Sequence, residues 1–378
     1  MNVKWTGILA AAFAVASASR ASGADTIKIG VTAELTGPNA EAGAYEVNGA
    51  NLALDEINKA GGVLGKKLEL RIEDTQSSNN GAVNALSRLG SEGNLVAIVG
   101  SVRSTQVQAM SPTLQKLGIP MMIGGTDYGL THAGNPWLFR CRPNDGYSAK
   151  VIAEFGVKTL GKKKWAIVHS TDAFGNGGKD RLADALKALG VTPVLVQGFT
   201  SNTQDFTPVV LAIKQAGADV MASYIANSPD VGVLSKQLRQ LGVTAPWVGS
   251  PSIASSTALK LGEEALHGTY AIADFSPGSS AEAQAYAQKY RDRYKVEADF
   301  YSSWAYDAVH LVAKAIEAKK STKPADLKAA FHSVKGHKGA EGAYQFDANG
   351  DGLHGYNIVK NEKGNIVFVK TISFVPAQ

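Results

Sequence analysis

The chain has 378 residues, 44% of them hydrophobic, with 38 basic and 33 acidic side chains, a formal charge of +5 and one cysteine. That length suits two domains able to bury cores without disulfides, and Cys141 on its own cannot form an internal bridge. So small a basic excess gives no electrostatic case for nucleic acid or a membrane surface.

Residues 1–24 read as a secretory signal peptide. Lys4 supplies the charged start, Gly7 to Ala18 is almost wholly apolar, and small residues lead to a cleavage site near 23–24. The apolar run is too short to span a bilayer as a helix. Removing Lys4 and Arg20 leaves 36 basic against 33 acidic residues, about +3. No cysteine near the cleavage site is available for a lipid anchor, so a soluble exported, periplasmic protein is expected.

Strands and helices then alternate. Strands are predicted at 26–31, 67–73, 95–99 and 120–123, with helices at 48–60, 82–89 and 105–117. After a joint at 140–145 the pattern restarts. Helices are predicted at 148–160, 178–189, 206–216 and 231–241, and strands at 165–169, 194–197, 220–223 and 247–249. Helices at 281–294, 303–319 and 324–331 follow, then a strand-and-turn tail at 342–346, 356–360 and 366–371. Such alternation implies right-handed βαβ units and parallel sheets covered on both faces.

The expected fold is therefore α/β, two similar doubly wound lobes joined by a hinge crossed several times. Lobe 1 is expected at 25–143 plus 272–342, and lobe 2 at 144–271 plus 343–378. Ligands in open parallel sheets bind beyond the carboxyl ends of the strands, so a cleft between the lobes is the expected site.

Two strand ends carry donors. Gly100 ends an apolar strand, and Ser101 to Thr105 lead into a helix whose free N–H groups and dipole favour an anion. A hydrogen bond to a charged group is worth about 1.5–3 kcal/mol, so three or four could hold a carboxylate in water. Ser104 as a plain helix cap is the competing reading. Gly124, Gly125 and Thr126 repeat the arrangement after the next strand, and two adjacent ends favour a shared pocket. Phe174, after the strand at 165–169, is either a lid over the cleft or loop packing.

Other motifs fall short. Gly177-Gly178-Lys179 lacks the hydroxyl residue and the first glycine of a phosphate loop. Residues 347–352 resemble the start of a calcium loop, but the twelfth position is Ile358, so a polar hairpin turn is expected. The histidines show no metal-ligand spacing, and His332 and His337 are expected to be solvated. There is no Gly-x-Ser-x-Gly elbow. No enzyme activity, metal or cofactor is expected.

With these residues in place, the chain resembles a type I periplasmic solute-binding protein of the branched-chain amino acid transporter family. The resemblance runs over essentially the whole mature chain. Its landmarks include Gly30-Val31 through Leu35-Thr36-Gly37-Pro38, Asp55 to Asn58 with Gly61-Gly62, Gly100 with Ser104-Thr105-Gln106, and Arg140 with Pro143-Asn144-Asp145. Further along come Phe174-Gly175, Asp205-Phe206 and Tyr306 to Val309.

The resemblance implies an ABC importer's receptor, a monomer that closes on a small carboxylate-bearing solute and docks on permease subunits. A sensor of the same fold is the alternative. It further implies that Val102, Arg103, Ser104 and Thr105, with Gly124, Gly125 and Thr126, hold the carboxylate. Phe174 then covers the ligand, and Asn227 and Tyr301 line the pocket. Amino-acid binders of the family usually place an acidic residue where this chain has Pro251. Either Asp127 or Asp230 meets the ligand's ammonium, or the ligand has none and is an organic or aromatic acid.

Overall fold

The computed structural model describes residues 26–374. The expected signal peptide lies outside the described residues. The first half runs β1 (Ile27–Ala33), α1 (Ala40–Lys59), β2 (Leu68–Asp74), α2 (Asn79–Ser91), β3 (Leu95–Val99), α3 (Ser104–Leu117), β4 (Met121–Ile123), α4 (Gly129–His132) and β5 (Leu138–Arg140). These strands form one parallel sheet in the order β2-β1-β3-β4-β5.

The second half repeats the plan. It runs α5 (Asp145–Glu154), β6 (Trp165–Ser170), α6 (Ala173–Ala188), β7 (Leu195–Phe199), α7 (Thr207–Ala216), β8 (Val220–Tyr224), α8 (Ser228–Gln240), β9 (Trp247–Gly249), α9 (Ser256–Gly262) and β10 (Tyr270–Ala273). Its parallel strands lie in the order β7-β6-β8-β9-β10, the same order as in the first sheet.

The chain then returns to the first sheet. Helices α10 (Ala281–Tyr294), α11 (Phe300–Lys319) and α12 (Pro324–Phe331) join α1 in one core over it. The opposite face is covered by α2 and α3, whose Leu86, Leu89, Val107 and Met110 pack with Leu95 and Ile98. Full burial on both faces explains why β3 reads as an unbroken apolar run. A hairpin of β11 (Lys335–Lys338) and β12 (Ala343–Gln345) follows. Then β13 (Gly355–Glu362) and β14 (Asn365–Ser373) add antiparallel to the far edge of the second sheet.

Several expectations shift. Strand β10 spans Tyr270–Ala273, so the expected boundary at 272 falls within a strand of the second sheet. The expected boundary between 342 and 343 falls at the start of β12, and Tyr344, Phe346 and Leu353 pack in the first core. Helix α6 starts at Ala173, capped by the Asp172 side chain, so residues 173–178 are its first turns and not a loop.

The turn at 347–352 does not join paired strands. It lies along β5, and Asp351 is buried against Arg140 at 2.8 Å. Arg142, two residues on, is ion-paired with Asp274 just after β10. The crossings are thus stitched together by two buried arginine–carboxylate pairs. His337 is half-buried, and burial pushes its ring down to about 4.

Candidate functional site

Both sheets change direction at the same place, between β1 and β3 in the first and between β6 and β8 in the second. At such a switch point the two loops part and leave a crevice. The loops beyond these strand ends face each other and enclose a cavity of about 220 Å³. The N-terminal ends of α2, α3, α6, α8 and α11 all contribute to its wall. Their first-turn N–H groups lack intrahelical acceptors, and their dipoles add to a positive field suited to an anion.

Val102, Arg103, Ser104, Thr105, Thr126, Phe174, Asn227, Pro251 and Tyr301 line the cavity. Gly124 and Gly125 do not. A side chain at Gly124 would strike the Trp304 indole 2.6 Å away, and the Gly124 carbonyl accepts from Arg142 Nη1 at 3.1 Å. The Gly125 carbonyl accepts from Arg140 Nη1 at 3.1 Å. Both glycines shape the wall from behind.

Ser104 is not the cap of α3. That place is taken by Arg103, while Ser104 Oγ accepts from the Asp127 N–H at 3.1 Å. This bond ties the loop after β4 to the helix after β3, so the two junctions form one unit.

Arg103 reaches across the cleft. Its Nη1 donates to the Ala226 carbonyl and to Asn227 Oδ1 at 3.3 Å, both on the second lobe. Its Nε lies 3.6 Å from Glu34 Oε1. Nε and Nη2 are buried without a hydrogen-bond partner. Arg103 thus lines the cavity with a guanidinium whose Nε side faces Glu34, and its planar fork suits a carboxylate.

Other contacts also join the lobes. Tyr301 Oη and Ser228 Oγ lie 3.0 Å apart, Thr257 Oγ1 donates to Glu41 Oε2 at 2.9 Å, and Arg181 stacks 4.3 Å over the Tyr128 ring.

The sequence reading missed several wall residues. Arg142 lines the cavity with its guanidinium 4.5 Å over Phe300, fixed by Asp274. Asp172 also lines it, with Oδ1 accepting from the Gly175 N–H at 2.8 Å and Oδ2 lying 3.3 Å from Ser201 Oγ. The position of Asp172 before a helix was the available signal. Asp127 and Asp230, the two expected ammonium partners, are not in the wall. Asp230 instead accepts from the Asn202 N–H at 3.0 Å, and burial pushes it up to about 6.

Comparison with known proteins agrees with this architecture. The family model described as periplasmic binding protein matches residues 26–365. A Leu/Ile/Val-binding protein homolog 3 of Brucella melitensis is 31% identical, covering 97% of this chain and 99% of that protein. The solved substrate-binding protein LivJ of a branched-chain amino acid transporter from Streptococcus pneumoniae, in complex with isoleucine, superposes with a TM-score of 0.85. It is 26% identical, with 92% of this chain and 99% of that one covered. The leucine-binding protein LivK of Thermotoga maritima shares the fold with a TM-score of 0.86 at 24% identity over 92% of this chain and 99% of its own. The chain belongs to the periplasmic binding protein family, type I, in its Leu/Ile/Val-binding-protein branch, and is a substrate-binding protein rather than an enzyme.

Proposed function

We propose that this protein is the extracytoplasmic receptor of a branched-chain-amino-acid-type ABC importer and that its solute is a small carboxylate without an ammonium group, an aromatic or branched organic acid. The observation that carries this reading is a cavity lined by Arg103 and Arg142 together with Ser104, Thr105 and Thr126, with Pro251 where an acidic residue would have met an ammonium. The carboxylate pairs with Arg103 and with the hydroxyls and N–H groups at the start of α3 and at Thr126. Phe174, Phe300 and Tyr301 supply apolar contact for the rest of the molecule. Because the solute touches both lobes, its binding favours closure over opening, and the permease receives the closed form. Family membership supports an extracytoplasmic location.

A branched-chain amino acid is the second reading. It is favoured by the names of the relatives and by Asp172, a carboxylate in the wall. Both Asp172 oxygens already have partners, at the α6 cap and at Ser201.

Calorimetry with benzoate, with the keto acid of leucine (α-ketoisocaproate) and with leucine separates the two. A desolvated ammonium without a partner costs several kcal/mol, so leucine is expected to bind at least about a hundredfold more weakly than the better acid. Leucine binding as tightly as either acid overturns the proposal.

A further inference from the structure

Behind the Arg103 guanidinium lie two carboxyl groups that take no direct part in holding a carboxylate. Glu34, just beyond β1, is 0% exposed, and Glu46, within α1, is 2% exposed. Glu34 Oε1 lies 3.6 Å from Arg103 Nε and 3.3 Å from Ser101 Oγ. Glu34 Oε2 and both carboxyl oxygens of Glu46 are buried without a hydrogen-bond partner. The other groups facing this cluster are Gln106 of α3, Arg142 with its Asp274 counter-ion, Tyr301 of α11, and Asp172 and Asp230 from the second lobe. Burial pushes Glu34 upward against the pull of Arg103. Burial, with the charge of Glu34, pushes Glu46 well above the usual carboxyl range.

With Arg142 matched by Asp274, and Asp172 and Asp230 held by hydrogen bonds within the second lobe, the carboxyl group ion-paired with the Arg103 guanidinium is Glu34. An incoming carboxylate brings a second anion to one guanidinium in a water-poor site. Two buried carboxylates sharing a single cation cannot both stay ionised cheaply. We propose that Glu34 sets the charge this cleft accepts: it is the counter-ion of Arg103 before capture, and when a monoanionic carboxylate takes over the guanidinium, Glu34 takes one proton from water and returns it on release. The proposal rests on the carboxylate reading above. A zwitterion brings its own positive charge and calls for no proton.

Since the bound anion strengthens Glu34's hold on a proton, affinity rises as pH falls, by up to about tenfold per pH unit. The window runs from Glu34's value before capture to its higher value with the anion bound.

The test is calorimetry of benzoate and α-ketoisocaproate at neutral pH in phosphate and in Tris, whose ionisation enthalpies differ, so that the proton count can be extracted. Uptake of about one proton per bound acid is expected in the wild type, with little uptake and a flattened pH profile in Glu34→Gln. Glu46→Gln is expected to keep the uptake. Circular dichroism checks that each variant is folded. If Glu34→Gln does not fold, the wild-type proton count and pH slope decide. Tight binding of either acid with no proton uptake overturns the proposal and leaves the carboxylate reading standing, as does uptake that survives Glu34→Gln. If neither acid binds, the carboxylate reading falls and this proposal with it.

Discussion

Arg103 shows how little a residue's type says about its task. In the sequence it stands in a polar turn, where a solvated arginine and a ligand-binding one look alike. In the structure its side chain is 11% exposed, lines the cavity and spans the cleft to Ala226 and Asn227. Arg103→Ala is expected to weaken carboxylate binding by about ten- to a hundredfold, the worth of one or two charge-assisted hydrogen bonds. Arg103→Lys should restore only part of this, because an ammonium lacks the planar fork. Calorimetry with benzoate and α-ketoisocaproate measures both, and circular dichroism should show unchanged secondary structure. Cys141 lies in the first core with its thiol pushed well up by burial. Glu34 was not legible at all. A glutamate one residue beyond a strand looks like a solvated turn until α1, the loop at Ser101 and Arg103 close over it.

At the scale of elements, the βα junctions were readable because period-2 and period-3.6 patterns meet there at glycines and hydroxyl residues. The glycines also misled. Gly175 and Gly177 precede the predicted helix start at 178, where α6 has already begun. At Gly178 the reason is packing, since an added Cβ would lie 2.1 Å from the Tyr224 ring beneath the helix. A similar constraint sets the distance between α1 and α11, because a Cβ on Gly49 would sit 1.9 Å from the Ser302 carbonyl oxygen. Gly49→Ala should therefore destabilise the protein by about 1–3 kcal/mol, the usual range for overpacking, despite alanine's better helix propensity. Urea denaturation followed by circular dichroism checks it. A urea midpoint equal to or above that of the wild type would mean that α11 gives way without strain.

For the molecule as a whole, the hinge and the cleft both concentrate buried acids. Burial lifts Asp145 to about 7 and Asp230, Asp299 and Asp307 each to about 6. Between the unfolded aspartate value near 4 and these folded values, the native state binds more protons than the unfolded chain. Stability from these groups therefore falls as pH rises through that window. Other groups act in the opposite sense, among them His169, which burial also lowers. His337, lowered to about 4, adds stability as pH rises to about 6.5. Glu56 is held at about 2 against its burial by His310, Lys289 and Tyr306, and its contribution is lost only as pH falls below the unfolded glutamate value. The raised acids outnumber the two lowered histidines, so thermal unfolding followed by circular dichroism should give a higher melting temperature near pH 5 than near pH 8. Each kcal/mol corresponds to about 2 °C or less in a chain of this length. A flat or rising profile over that range would mean that these carboxyls are hydrated in the native state.

The sequence by itself determined the two α/β halves, the parallel sheets, the strand ends that carry the site and the family, because hydrophobic period, chain punctuation and local donors are written in neighbouring residues. Only the tertiary structure decided that Arg103 and Glu34 share one buried space, that Arg140 and Arg142 clamp the crossings through Asp351 and Asp274, and that Gly124 and Gly125 stand behind the wall rather than in it. Those pairings join residues up to 211 positions apart. Their energies depend on burial and on the absence of water, and no local pattern in the chain encodes either.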